Sequence, residues 1–294
     1  QEEEAITELL KMGEKAGVPD LEIMDKVKLK QLEPAIKAER ALFSPTGAII
    51  HSVRFLESIA SDAQAHGATF YLGRQVKSIE DNTIKTNDGD FQAGHIINCA
   101  GLYADQIAHT LGVGSEYRVI PFRGEYMQIP IRINSMVYQP PDLRFPFLGV
   151  HLTKTLNNRV LAGPNAALAF GRESYEKQFN LIEFMQMFPR LFRMIGNKEF
   201  RQVAWQNAAT SLSKRAYLEQ INSLLQQPLS LNQISTSKAG IRAQLVNRQG
   251  RMVNDLLVYY NSQHTNILNA VSPGMTCSLA FAEHVVDNIE KRIK

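Results

Sequence analysis

The chain has 294 residues, of which 44% are hydrophobic and 21% charged, a composition typical of globular proteins with a sizeable core. The formal net charge of +3 is small, and no basic stripe interleaved with aromatic residues is present, which excludes nucleic acid as a partner. No apolar run approaches the ~20 residues that span a bilayer, and no signal peptide precedes the first predicted helix. We therefore expect a soluble, cytoplasmic protein, and peripheral contact with the inner membrane stays open.

The two cysteines, Cys99 and Cys277, lie far apart and show no CxxC spacing. Two cysteines that are far apart and lack this spacing argue against a zinc site and against a disulfide framework. We expect both to be buried small residues in a reducing compartment, and we predict no metal site.

The first two predicted elements are helices at residues 2–16 and Asp25–Leu32. The helical pattern of the second stops before Glu33-Pro34, because the residue before a proline disfavours the helical conformation. A third helix is predicted from Ser52, which we take as its N-cap, to near Gly67. Around and after it, alternating apolar residues predict strands at 42–43, 48–51, 69–72, 75–79, 83–86 and 95–99.

The strand His95–Cys99 is followed by Ala100, Gly101 and a predicted helix at Tyr103–Leu111. In a doubly wound sheet, ligands bind at the carboxyl end of such a strand. From residue 117 to 164 the pattern becomes antiparallel, with strands predicted at 119–129, 136–138, 147–155 and 160–163. Residues 173–227 predict about three helices.

Near the end of the chain, a strand at Ile241–Val246 places Arg242 and Gln244 on one face. The apolar residues at 267–268 then lead into Ser272-Pro273-Gly274 and a helix that we expect to open at Met275 and Thr276. A helix N-terminus carries free backbone N–H groups and partial positive charge, which suits an anionic or electron-rich ligand. An ordinary strand-turn-helix without a ligand is the alternative.

Six strings resemble, in sequence and in order, the L-2-hydroxyglutarate oxidases and dehydrogenases, which are FAD enzymes of the D-amino-acid-oxidase superfamily. These strings are NCAGLYAD (Asn98–Asp105), PFRGEY (Pro121–Tyr126), FPFLGVHLT (Phe145–Thr153), GPNAALAFGRESY (Gly163–Tyr175), AGIRAQ (Ala239–Gln244) and NAVSPGMTCSLA (Asn269–Ala280). The resemblance implies a mixed α/β fold. Residues 1–116 and 239–294 would form an incomplete Rossmann-like FAD domain, interleaved with an antiparallel-sheet substrate domain and helices at 117–238.

One departure from that family is large, because no GxGxxG stands anywhere in the sequence. In the family this glycine turn lets backbone N–H groups approach the FAD pyrophosphate. The chain begins at Gln1 without a methionine, and about the first hundred residues of the family layout are expected to be absent, roughly one βαβ unit and its continuation.

For the substrate, the resemblance implies that Arg242 binds a carboxylate, assisted by Gln244. Arg123, Tyr126 and Asn165 are further pocket candidates, and a second arginine would suit the distal carboxylate of a five-carbon diacid. Two histidines are candidate general bases, His151 and His51, and we leave the choice open.

For the cofactor, the resemblance implies that residues 272–276 run beside the flavin ring. Cys99, Ala100 and Gly101 would pass near the FAD, and Val76 would contact its adenine. The complete set of predicted cofactor residues is Val76, Cys99, Ala100, Gly101, Ser272, Pro273, Gly274, Met275 and Thr276.

The function expected from these residues is FAD-dependent oxidation of L-2-hydroxyglutarate to 2-oxoglutarate, with oxygen or a quinone as electron acceptor. Two alternatives stay open: a superfamily relative acting on an amino acid or glycerol phosphate, and a non-catalytic fragment that binds no FAD. We also expect self-association through the flank of the His95–Cys99 strand, where a further strand would pair.

Overall fold

The computed structural model describes residues 2–140, 149–197, 200–201, 210–211, 213–270 and 274–293. Its helices are α1 Glu2–Lys15, α2 Lys26–Leu32, α3 Ser52–Ala65, α4 Ala104–Thr110, α5 Leu181–Gly196, α6 Lys214–Ser223 and α7 Ser278–Ile293. Its strands are β1 Glu22–Asp25, β2 Arg40–Phe43, β3 Val76–Glu80, β4 Thr83–Thr86, β5 Asp90–Gln92, β6 Ile96–Asn98, β7 Arg118–Gly124, β8 Met127–Ile129, β9 His151–Lys154, β10 Val160–Gly163, β11 Ala167–Leu168, β12 Ser235–Thr236, β13 Gly240–Val246, β14 Leu257–Tyr260 and β15 His264–Asn269. The fold is mixed α/β with several antiparallel sheets, as the sequence predicts.

The chain forms two compact units, each assembled from three segments. Unit 1 comprises Gln1–Thr69, Gly124–Ala167 and Val203–Ala239, and unit 2 comprises Phe70–Arg123, Leu168–Gln202 and Gly240–Lys294. This division by contacts differs from the predicted functional division at residues 117 and 239, because residues 1–69 pack with the middle of the chain. The functional division stays a prediction.

Unit 1 contains a four-stranded antiparallel sheet in the order β12-β8-β10-β9. One face of this sheet packs against α6, whose Tyr217, Leu218 and Ile221 are buried. Alternate residues of the strands supply the other side of this core, as the period of a pleated strand requires. They include Met127, Ile129, Leu152, Val160 and Ala162.

Unit 2 contains three small sheets: β3-β4-β5, β14-β15-β6, and β11-β7-β13, which begins at Ala167 on the unit boundary. In the second, β15 runs parallel to β6, with His264 opposite Ile96 and Asn266 opposite Asn98. A buried apolar cluster joins α4 to these strands and contains Ala108, Val119, Leu245 and Leu268. The carboxyl end of β6 in this parallel pair is the strand end at which the sequence predicts ligand binding.

Several predicted boundaries were wrong. The strand predicted at 119–129 is two strands, β7 and β8, because the N–H of Glu125 is bonded by the Asn165 side chain at 2.8 Å. Residues 48–51 and 69–72 form no strand, and β1 was not predicted. Helix α3 is capped by His51 rather than Ser52, because the Nδ1 atom of His51 accepts the N–H of Arg54 at 3.4 Å.

Candidate functional site

The predicted site residues fall into both units, and each unit is described separately. Unit 1 holds His51, Tyr126, His151 and Asn165. Unit 2 holds the predicted cofactor residues together with Arg123, Arg242 and Gln244. Ser272 and Pro273 lie outside the described residues.

In unit 2, a buried asparagine shapes the turn that follows β6. The Nδ2 atom of Asn98 donates to Ala104 O at 2.9 Å and to Asn266 Oδ1 at 3.0 Å, and its Oδ1 accepts the N–H of Ala100 at 3.1 Å. The buried amide therefore ties the strand end to α4 and to β15. Cys99 and Ala100 are left exposed at the carboxyl end of the parallel pair. The prediction that both cysteines are buried was therefore wrong, since Cys99 is exposed and Cys277 is half-buried.

Three of the predicted cofactor residues, Val76, Cys99 and Ala100, line one cavity of 820 Å³ in unit 2. This volume lies within the range typical of ligand pockets, roughly 300–1,000 Å³. Ile79, Ile84, Ile96 and Ile97 supply apolar surface, and Arg74 and Lys77 supply cations.

A second cavity of 370 Å³ joins Cys99 and Gly101 to Gly274. Its remaining lining is largely apolar and includes Ile97, Ala243, Ile267, Phe281 and Val285. Gly101 has a φ of +54°, and a Cβ there would meet nothing within 4 Å. Met275 and Thr276 form a turn rather than a first helical turn, because α7 begins at Ser278, three residues later than predicted.

The linings of the two cavities are chemically compatible with parts of an FAD. Their apolar walls suit flat ring systems, and the exposed strand end between them gives backbone that a ligand can approach. The diphosphate has no GxGxxG turn in this sequence to receive it. The cations of the larger cavity are Arg74, which pairs with Asp88, and Lys77.

A buried ion pair also stabilises the turn that follows β6. Arg172 and Asp105 are both fully buried, and the two guanidinium nitrogens lie 2.8 and 3.0 Å from the carboxylate oxygens. Arg172 Nη1 also donates to the carbonyl of Leu102, and Asp105 accepts the N–H of Val119 at 3.0 Å. Sequence reasoning gave Arg172 no role, although it lies within the family string GPNAALAFGRESY.

The candidate carboxylate-binding groups lie on two neighbouring strands of unit 2. Arg242, on β13, is half-buried, and burial lowers the pKa of its guanidinium from the ordinary value. Arg123, near the end of β7, donates its Nε hydrogen to Tyr175 O at 2.7 Å. Gln244 is fully buried, and its amide donates to Val253 O and Leu245 O, so its described contacts are structural.

In unit 1, His151 is half-buried at the start of β9 and stacks on Tyr138 with ring centroids 4.7 Å apart. Its Nδ1 lies 3.2 Å from Gly149 O. Burial lowers the pKa of the imidazole below 6.5, although the Gly149 contact opposes this shift. His151 is therefore neutral at pH 7 and able to accept a proton.

The other candidate base, His51, is exposed and lines a cavity of 430 Å³ in unit 1. Met136 and Thr153 lie in the same lining, and Thr153 is two residues beyond His151 on β9. The Nδ1 lone pair of His51 is used in capping α3. In the neutral ring the hydrogen therefore lies on Nε2.

The remaining unit 1 candidates belong to a buried polar cluster. The Asn165 amide donates to Glu125 Oε2 at 3.2 Å and to Ser211 Oγ at 3.3 Å. Tyr217 donates its hydroxyl hydrogen to the carbonyl of Glu125 at 2.7 Å. Tyr126 is half-buried, and burial, with a smaller effect of Tyr138, raises its pKa. This cluster fixes the β7–β8 connection that carries Tyr126.

None of the described helices combines the length and the apolar character needed to cross a bilayer. Helices α5 and α7, the longest, have 16 residues each.

The sequence is similar to several proteins named L-2-hydroxyglutarate dehydrogenase. The one from Indibacter alkaliphilus is 32% identical over 98% of this chain and 74% of its own length. One from Escherichia coli is 30% identical over 89% of this chain and 64% of its own length. The human mitochondrial protein is 29% identical, over 100% and 69%. The chain thus spans about two thirds to three quarters of these relatives.

Two solved structures share the fold. One is L-α-glycerophosphate oxidase from Mycoplasma pneumoniae with FAD bound, with a TM-score of 0.64 and 20% identity over 98% of this chain and 70% of that one. The other is glycine oxidase from Bacillus cereus, with a TM-score of 0.65 and 14% identity over 100% and 71%.

The model of the FAD dependent oxidoreductase family, DAO, matches residues 1–288, nearly the whole chain. The cavities at the end of β6, the shared fold and this match agree with one another. The chain therefore belongs to the DAO family of FAD-dependent oxidoreductases, whose cofactor is FAD.

Proposed function

We propose that this protein oxidises L-2-hydroxyglutarate to 2-oxoglutarate. The observation that carries the proposal is the name shared by relatives from distant organisms, each about 30% identical over most of this chain. The six family strings belong to the same sequence similarity, and the run from Phe145 to Tyr175 is the more specific to this branch of the superfamily. Its residues 145–148 lie outside the described part of the chain.

The charges of unit 2 suit a dicarboxylate. Arg242 and Arg123 lie on β13 and β7, which are hydrogen-bonded neighbours in one sheet. A guanidinium stays protonated at neutral pH and binds a carboxylate through two parallel hydrogen bonds. We assign Arg242 to the carboxylate beside the reacting carbon and Arg123 to the distal one.

FAD, when bound, accepts the C2 hydrogen of the substrate together with its electron pair. The hydroxyl proton must then pass to a base, so that C2 becomes a carbonyl carbon. We favour His151 for this step because its lowered pKa leaves the imidazole neutral. His51 remains the second candidate. Its Nδ1 atom would take the proton, and the cap bond from Arg54 would have to break first, because the neutral ring then carries its hydrogen on Nε2.

The test is anaerobic reduction of FAD mixed with the purified chain. L-2-hydroxyglutarate should bleach the flavin absorbance and yield 2-oxoglutarate, whereas D-2-hydroxyglutarate, glycine and glycerol 3-phosphate should not. Reduction by glycine or glycerol 3-phosphate instead would assign the chain to another branch of the superfamily.

A second candidate function is a non-catalytic chain that binds no FAD. It is favoured by the lack of a GxGxxG turn in the sequence. Equilibrium dialysis with FAD separates the two readings before any substrate is added. Retention of FAD by the purified chain would rule out the non-catalytic reading, and loss of all FAD would support it.

A further inference from the structure

Helix α5 in unit 2 has two apolar faces. Its buried face packs Met187, Leu191 and Met194 into the unit. The other face is exposed and follows the helical spacing of four and three residues that forms a stripe. This exposed stripe consists of Leu181, Met185, Phe188, Phe192 and Ile195, which are 48–69% exposed.

Phenylalanine rings extend this surface beyond the helix. The rings of Phe170, Phe179, Phe184, Phe188 and Phe192 contact one another in turn, with centroid separations of 5.3–6.5 Å. Phe179 and Phe170 are 58% and 43% exposed. A contiguous apolar patch of this kind marks an interaction surface rather than a scatter of single residues.

Arginines gather beside the C-terminal half of α5. Arg190 and Arg193 lie on the helix, and Arg118 and Arg248 interact electrostatically with Arg190 from neighbouring segments. Arg190 donates to Glu116 O at 3.3 Å, Arg193 to Arg248 O at 2.5 Å, and Arg248 to Ser115 Oγ at 3.2 Å. These contacts are to neutral oxygens, so they do not themselves neutralise the positive charges.

Two carboxylates face this arginine cluster. Glu116 interacts with Arg248 and accepts the Tyr259 hydroxyl hydrogen at 2.7 Å. Asp105 lies 3.8 Å from Arg118 but is already paired with Arg172. The cluster has four guanidinium groups and two nearby carboxylates, and one of these carboxylates, Asp105, is already neutralised by Arg172. The cluster is therefore strongly positive.

We propose that the exposed stripe of α5 and the arginine cluster beside it form a docking surface for a bilayer containing anionic phospholipids. An apolar, phenylalanine-rich helix face inserts at the level of the acyl chains, and arginines at its edge bind the headgroup phosphates. A soluble anion would use the arginines but leave the stripe exposed. An apolar protein partner would cover the stripe without using the arginines.

The docking surface lies away from the candidate carboxylate-binding groups. The arginine cluster includes Arg118, at the start of β7, and Arg248, just beyond the end of β13. Arg123 and Arg242 lie at the opposite ends of these two strands. The inference is therefore independent of the proposed substrate and can be tested without it.

The experiment is flotation of the full chain with vesicles of phosphatidylcholine, with or without about one third phosphatidylglycerol. We expect binding to the anionic vesicles only, and its loss at high salt because headgroup attraction is screened. Phe192→Asp and the double variant Arg193→Glu/Arg248→Glu should each lower the bound fraction by about tenfold or more.

Matched controls in unit 1 are Val27→Asp, at a residue 65% exposed, and Arg215→Glu, whose side chain is 82% exposed. These should bind as the parent does. Equal binding by Phe192→Asp and the parent, or no binding by the parent, would overturn the proposal. So would stabilisation by inorganic phosphate without any binding to vesicles.

A conservative variant controls for misfolding of the Phe192→Asp protein. Phe192→Trp keeps an aromatic ring in the stripe, and its fluorescence, after subtraction of the parent signal, should shift to the blue with anionic vesicles. An unshifted spectrum in the presence of vesicles that bind the protein would place the contact elsewhere.

Discussion

At the scale of single residues, burial of His151 lowers its pKa, and this affects both the pH dependence of stability and the ability of the ring to act as a base. Its pKa is lowered in the folded protein, so the unfolded chain binds the proton first as the pH falls. The stability that the neutral ring contributes is therefore present above the unfolded pKa of 6.5 and is lost as the pH falls towards the folded pKa. His264, whose pKa burial also lowers, acts in the same direction.

We predict that His151→Phe reduces the loss of unfolding free energy between pH 7 and pH 5, since phenylalanine keeps the stack on Tyr138 but does not titrate. Urea unfolding at the two pH values measures it, with His284→Gln, at an exposed residue, as control. If His151 is the base, the variant should also lower kcat by about 10²–10⁴-fold. A variant as active as the parent would move the role of base to His51.

The positions of the site residues could be predicted from the sequence in part, but their hydrogen-bond and ion-pair partners could not. Alternation correctly placed Arg242 and Gln244 on one strand, since β13 was predicted within one residue of its start. It did not show that the Gln244 amide donates to the backbone carbonyl of Val253. Nor did it show the pairing of Arg172 with Asp105, because a partner 67 residues away leaves no local signal.

At the scale of elements, the turn after β6 depends on that buried pair. Asp105→Asn keeps the shape of the side chain but leaves Arg172 buried without a compensating charge. We expect a loss of about 3–5 kcal/mol in unfolding free energy. The double variant Asp105→Asn/Arg172→Met should lose less, because no buried charge remains.

The matched control is Asp88→Asn, which removes a surface pair with Arg74 and should cost at most about 1 kcal/mol. Urea unfolding measures all three variants. FAD dialysis adds a readout for the turn itself: if Asp105→Asn is destabilised yet binds FAD as the parent does, the pair does not position the cofactor segment.

The free edge of β6 is a second property of an element. Among the described residues β6 pairs only with β15, and Ile97 is 44% exposed and lines both cavities. An exposed apolar edge strand invites pairing with another chain, so we propose self-association there. Sedimentation velocity over a concentration series should show it.

Ile97→Lys should shift the protein towards the monomer, because a charge on the edge opposes pairing. Val76→Lys, at an exposed residue of β3 in the same cavity, is the control. A parent that stays monomeric at all concentrations would contradict the proposal.

Elements were predictable where the pattern was local. Strong helical stripes predicted α1 and α3, and β13 was predicted by alternation. Boundaries failed where distant groups decide them, as when Asn165 bonds the Glu125 N–H and interrupts the strand predicted at 119–129. Residues 69–72 have strand-like composition but form no ladder, since no pairing partner adjoins them among the described strands.

At the scale of the whole molecule, the family and mixed α/β class could be predicted because the six strings are spread over most of the chain. The two compact units could not, since each is assembled from three separated segments. Periodicity reports which face of an element is apolar, but it carries no information on which distant segment covers that face.

The pairing of β6 with β15 has a consequence for synthesis. The two strands are 168 residues apart in sequence, and the Asn98 amide needs Asn266 to satisfy it. While the chain emerges from the ribosome, Ile96 and Ile97 of β6 therefore stay without their partner strand until synthesis has passed residues 264–266. Contacts of such high sequence separation form slowly. The nascent chain is thus a natural client for chaperones that shield apolar strands, and a stop codon shortly before residue 264 should leave β6 with no partner strand in its own sheet.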